Sequence, residues 1–84
     1  MILINPPLRH PEAVVPPLGI ASIAATLRQA GRPAGLLDAN ALGLDEATAA
    51  AAALERRPAA VGLTVLYSSY PAAREITRIL KASP

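Results

Sequence analysis

The chain contains no cysteine, no tryptophan and no phenylalanine. The missing cysteine excludes a disulfide framework, a thiolate metal site and an iron–sulfur cluster within these residues. Aromatics amount to 2%, supplied by Tyr67 and Tyr70, so the core is expected to be aliphatic and rich in alanine. Alanine buries little area per residue, and modest stability is expected of the isolated chain. Charge of one sign is also scarce. The net charge is +2, and seven of the eight basic residues are arginines spread along the chain. Nucleic-acid recognition needs clustered Lys/Arg and, for single strands, stacking aromatics, neither of which is here. No apolar run approaches a membrane span, and the amino terminus lacks the charged-then-apolar layout of a signal peptide. A cytoplasmic protein with neither nucleic-acid nor membrane partners is expected.

What is present is a globular composition, 52% hydrophobic and 17% charged, in 84 residues. That length allows one small domain. Ile2 to Asn5 reads as a strand ended at once by Pro6 and Pro7, since proline cannot donate to a ladder. Leu8 to Pro16 is a long loop. Pro17 can occupy the first turn of a helix. Ile20, Ile23, Ala24 and Leu27 then recur at i, i+3, i+4, i+7, one apolar helical face. Gly31 supplies a left-handed stop with Pro33 beyond it. Ala34 to Asp38 reads as a second strand and Asn40 to Leu44 as a turn. A second helix is expected from Asp45 to Arg57, with acids at its positive end, arginines at its negative end, and Ala47, Ala50, Ala51 and Leu54 inward. Val61 to Leu66 is a nearly continuous apolar run, as in a strand covered on both faces. Tyr67 to Tyr70 is a loop. Pro71 opens a third helix with Ala72, Ile76, Ile79 and Leu80 inward and Arg74, Glu75, Arg78 and Lys81 outward.

The order β-α-β-α-β-α, with right-handed crossovers, gives a three-layer α/β fold with a parallel sheet. The first strand is expected in the centre with the other two beside it. This is the start of a flavodoxin-like, Rossmann-like sheet of order 2-1-3-4-5, truncated before strands four and five. The third strand would be a very apolar open edge, which natural proteins avoid. The chain is therefore read as a partial domain over residues 1–84, its edge covered by the remainder of a longer protein or by a second copy. Ligands of such sheets sit at the carboxyl ends of the strands, where the long first loop lies.

Four segments occur in order and spacing that resemble one family: LINPP at Leu3–Pro7, PPLGIASIAATLRQAG at Pro16–Gly31, LLDAN at Leu36–Asn40, and VGLTVLYSSYPAA at Val61–Ala73. Together they resemble the amino-terminal cobalamin (vitamin B12)-binding domain of cobalamin-dependent radical SAM enzymes. Those are mostly methyltransferases, with some ring-forming members, in which a barrel carrying CxxxCxxC follows the module. The resemblance implies a bound cobalamin. It assigns SAM and the iron–sulfur cluster to a downstream domain, because this chain has no cysteine and ends after its third helix.

On that resemblance, Asn5, Pro6, Pro7 and Leu8 form a stiff apolar wall against the corrin, where the residues alone read as a strand terminator. Pro17, Leu18 and Gly19 open the first helix. Gly19 permits close backbone approach of a ligand or, alternatively, close helix–sheet packing. Thr64, Ser68 and Ser69 offer hydroxyls to the nucleotide tail or the corrin amides, Ser69 alternatively capping the third helix. Tyr70 or Tyr67 can cover the cofactor. His10 invites reading as a cobalt ligand, but cobalamin proteins that use one carry D-x-H-x-x-G, and here the position reads N-P-P-L-R-H without an orienting partner. Asp38 and Asn40 end the second strand. With no G-x-G-x-x-G after the first strand, Asp38 is expected to shape the turn rather than bind a ribose. Arg9 and Glu12 read as a solvated pair.

The expected function is a cobalamin-binding module that positions the corrin for methyl transfer in a radical SAM methyltransferase or related enzyme, not catalytic alone. No carboxylate pair, activated nucleophile or metal-ligand cluster is evident. The alternatives are a non-catalytic interaction domain pairing through its third strand, and a flavin or nucleotide binder, which would lack its glycine loop.

Overall fold

The computed structural model describes residues 1–8 and 17–83. Expectations for Arg9, His10, Glu12 and Pro16 lie outside the described residues, as does the Tyr67 side chain. The element order is β1 (Ile2–Asn5), α1 (Leu18–Gln29), β2 (Gly35–Asp38), α2 (Ala39–Leu42), α3 (Glu46–Glu55), β3 (Val61–Leu63), a 3₁₀ turn (Tyr67–Ser69) and α4 (Tyr70–Ala82). The three strands are parallel in the order β2-β1-β3. Ile2 aligns with Gly35 and Val61, and Ile4 with Leu37 and Leu63. The truncated flavodoxin-like sheet with a central first strand is what the sequence predicts.

Alternation along β1 divides the core in two, because successive side chains point to opposite faces. Ile2 and Ile4 join Leu37, Ala39, Ala49, Ala50, Ala53 and Ile76 under α3 and α4. Leu3 joins Ile20, Ala24 and Ala34 under α1. Helices therefore cover both faces, one on one side and two on the other. Ala49, Ala50 and Ala53 bring α3 into this cluster, where it packs chiefly against α4, and Ile4 and Ile76 supply the bulk at full burial. Each such isoleucine contributes about 1.5–3 kcal/mol of transfer free energy. Gly31 ends α1 with φ +78°.

Several boundaries and faces differ from the sequence reading. α1 begins at Leu18, Pro17 being its N-cap. Ile23 is 51% exposed rather than inward, because α1 packs on β1 and β2 and covers less surface than its apolar stripe offers. α3 ends at Glu55, and its buried residues are Ala49, Ala50 and Ala53, not Ala47, Ala51 and Leu54. A run of five consecutive alanines carries no apolar contrast from which helical phase can be read. Arg57, expected inside the helix, instead has φ +47°: it follows the C-cap Arg56, where helices commonly end on a left-handed residue, and Pro58 bars helical continuation. β3 stops at Leu63 and is only half-buried, leaving Val65 and Leu66 exposed. The expected turn after β2 contains the single-turn helix α2. In α4, Ala73 rather than Ala72 is buried beside Ile76, with Ile79 and Leu80 partly buried against the core.

Candidate functional site

The carboxyl ends of the strands carry a connected set of side-chain hydrogen bonds. Asp38 Oδ1 accepts from the Ala41 N–H at 3.1 Å, which starts α2 directly after β2. The same oxygen accepts from Asn5 Nδ2 at 2.9 Å, tying the end of β1 to the end of β2. Asp38 thus shapes the turn, as expected of it. Asn40, buried in α2, accepts through Oδ1 from the Leu8 N–H at 3.0 Å. The proline loop is therefore fastened to α2 as well as stiffened by its own rings.

After β3 the chain turns at Leu66. The Ser69 hydroxyl accepts from the Leu66 N–H at 2.9 Å and donates to the Leu66 carbonyl at 3.4 Å. Ser69 stands at the N-cap position of α4 but forms no side-chain cap bond. With 1% exposure, its hydroxyl fixes the 3₁₀ turn.

These loops enclose two recesses. The first, about 310 Å³, is lined by Asn5, Leu8, Pro17, Gly19, Ile20, Asn40, Thr64 and Leu66, none of them charged. The second, about 200 Å³, is lined by Pro7, Leu8, Glu46, Ser68, Pro71 and Ala72. Leu8 belongs to both. Of the residues singled out from sequence, Asn5, Leu8, Pro17, Gly19 and Thr64 meet in the first recess, and Pro7, Leu8 and Ser68 in the second. Four others are placed differently. Pro6 is fully buried and supports the loop from below, and Ser69 is buried. Leu18, 74% exposed, lines neither recess. Tyr70, 57% exposed, lines a separate groove with Pro71, Arg74, Glu75 and Arg78.

Sequence reasoning missed Ile20, Leu66 and Glu46 as lining residues and gave Asn40 no contact. Ile20 and Leu66 read as core and strand. Glu46 has an ordinary explanation at the positive end of a helix. The cap of α3, however, is Asp45, whose Oδ1 accepts from the Thr48 N–H at 2.8 Å. Hydrogen bonding from the Thr48 hydroxyl and N–H holds the Asp45 carboxyl below the ordinary carboxylate range. Among the described residues, no group of His, Cys, Asp and Glu is placed to hold a metal ion, and no helix is long and apolar enough to cross a membrane.

A family model for the B12 binding domain matches residues 5–83. The chain belongs to the B12 binding domain family. No curated protein and no solved structure matches it. Family membership supports cobalamin as the ligand of this B12-binding domain, and the carboxyl edge fits such a molecule. Cobalamin presents a flat, largely apolar ring bordered by neutral carboxamides. Leu8, Pro17, Ile20 and Leu66 offer apolar surface, and Asn5, Asn40 and Thr64 offer neutral polar groups beside it. Gly19 lines the recess; among the described residues a Cβ there would meet no atom within 4 Å, and its φ is not positive.

Proposed function

We propose that this chain is the cobalamin-binding module of a cobalamin-dependent radical SAM methyltransferase or a related enzyme. The observation that carries the cobalamin half of this reading is the recess whose described lining, Gly19 included, is uncharged, between the proline loop and the hydroxyl loop of a B12-binding domain. The radical SAM half rests on the resemblance of the four segments, and on an outer edge of β3 that has no strand beside it among the described residues. On this reading the remaining strands, the barrel, its cluster and SAM belong to the rest of a cytoplasmic parent enzyme.

When bound, the corrin supplies cobalt as a methyl carrier; such chemistry is the cofactor's, and the protein contributes binding and orientation. Asn5, Pro7 and Leu8 form a wall fixed through Asp38 and Asn40. Pro17, Gly19 and Ile20 form the opposite wall, and Thr64 supplies a hydroxyl between them. Leu8, Ile20 and Leu66 keep water from the ring. None of these residues is assigned a bond-making step.

The test is retention of hydroxocobalamin, read as corrin absorbance co-eluting with the chain in gel filtration. Wild type is expected to retain it, and Gly19→Leu to lose it with an unchanged circular dichroism spectrum. Retention by Gly19→Leu would remove this recess as the corrin's seat, and no retention by wild type overturns the cobalamin reading. A coding sequence that continues without a cysteine triad overturns the radical SAM context. A second reading, pairing of two chains through β3, draws on its open edge and on exposed Val65 and Leu66. A tight dimer indifferent to hydroxocobalamin would support it instead.

A further inference from the structure

Among the described residues lining the two chambers at the carboxyl edge, one is charged, Glu46 in the smaller recess. Its walls are held by three separate hydrogen-bonded devices. Asn40 fixes Leu8, Ser69 fixes the turn that carries Ser68, and Asp45 caps the helix that begins with Glu46. Glu46 itself is half-buried and forms no side-chain hydrogen bond among the described residues. A prebuilt chamber lined by Pro7, Leu8, Pro71 and Ala72, with one acceptor-only carboxylate and one hydroxyl, suits a short arm ending in a primary carboxamide. Its volume of about 200 Å³ leaves room for such a group in place of several waters. Glu46 disfavours an anion here, because a phosphodiester or carboxylate would meet it as a like charge.

We infer that this recess seats one peripheral carboxamide arm of the corrin, Glu46 accepting from its N–H₂ and Ser68 donating to its carbonyl, and that the nucleotide phosphate lies elsewhere. The inference rests on the cobalamin reading and adds an acceptor that distinguishes amide from acid. A carboxylate acceptor forms the stronger, charge-assisted bond.

The experiment uses the intact chain with hydroxocobalamin and with the separated monocarboxylates in which one peripheral amide has become an acid. Wild type is expected to bind hydroxocobalamin and to bind one monocarboxylate isomer at least roughly tenfold more weakly, a difference of ~1.4 kcal/mol. Glu46→Gln is expected to bind the amide roughly tenfold more weakly than wild type and to lose the discrimination against that isomer. Ser68→Ala is expected to weaken binding a few-fold while keeping the discrimination. Helicity by circular dichroism checks that Glu46→Gln remains folded. If wild type binds hydroxocobalamin but Glu46→Gln treats every isomer as wild type does, the arm assignment is wrong and the cobalamin reading stands. If wild type retains no hydroxocobalamin, both fall.

Discussion

At the amino end of the sheet the chain is joined mainly through its backbone, whereas at the carboxyl end side chains fasten the loops. Ile2 donates to the Ala60 carbonyl at 3.1 Å, Gly35 to that of Met1 at 2.9 Å, and the terminal ammonium to that of Pro33 at 3.2 Å. Two arginines add side-chain bonds, Arg28 Nε to the Ala34 carbonyl at 2.8 Å and Arg56 Nη1 to that of Leu36 at 3.5 Å. The opposite end depends on residue identity, through Asp38 on Asn5 and Ala41, Asn40 on Leu8, and Ser69 on Leu66. Main-chain ladders close wherever strands meet, so the first end tolerates many sequences. Loops held at fixed positions need specific acceptors, and here those acceptors surround the two recesses. The backbone strain at Arg57 lies at the other end, where α3 turns toward β3.

This contrast can be broken most sharply at Asn40. Asn40→Ala leaves the part-buried Leu8 N–H without its acceptor, a cost of about 1–3 kcal/mol, and releases the wall shared by both recesses. Urea denaturation should show that loss, with corrin retention falling in parallel, while Asn40→Asp, which keeps an acceptor oxygen, should lose less of both. Equal losses would show that the acceptor oxygen is not what Asn40 contributes.

The amino end is expected to respond in the opposite sense. Arg57→Gly removes a left-handed penalty of about 1 kcal/mol, so the melting temperature should rise by a few degrees with corrin binding unchanged. A fall in stability would mean that the arginine side chain contributes more than its backbone strain costs.

The smallest expected effect is the acid dependence of the α3 cap. The Asp45 carboxyl is held below its unfolded value by Thr48. Its contribution is therefore present above about pH 4 and lost as the pH falls through the depressed folded value. Melting temperatures measured from pH 7 to pH 3 should fall less in Asp45→Asn than in wild type. Because Asp45 is exposed, salt should reduce the difference. Identical pH profiles would remove the cap from the account of how Glu46 is positioned.

The fold was legible in Ile2-Leu3-Ile4, whose alternation supplies both cores, and in Gly31, which ends α1 as its position implies. The face of α3 was not legible, since Ala49 to Ala53 are chemically identical and only packing chooses among them. Nor was the length of β3, because Val65 and Leu66 look like strand residues whether or not a neighbour pairs with them. Part of the site was legible through its turn residues. Asn5, Leu8, Pro17, Gly19 and Thr64 do converge. Leu18 and Tyr70 stand apart because the first and last helices turn them outward, a phase that loops of unknown path do not reveal. Ser69 was read as a ligand hydroxyl or a helix cap, whereas its bonds to Leu66 close the turn and it forms no side-chain cap bond. Glu46 was hidden by having a sufficient local explanation.

Leu8 borders both chambers. A rigid guest resting on it gains two footholds, and escape requires both to let go together. Shaving that side chain to alanine would weaken both at once, so the guest's residence time should shorten even where its first encounter is as fast as before.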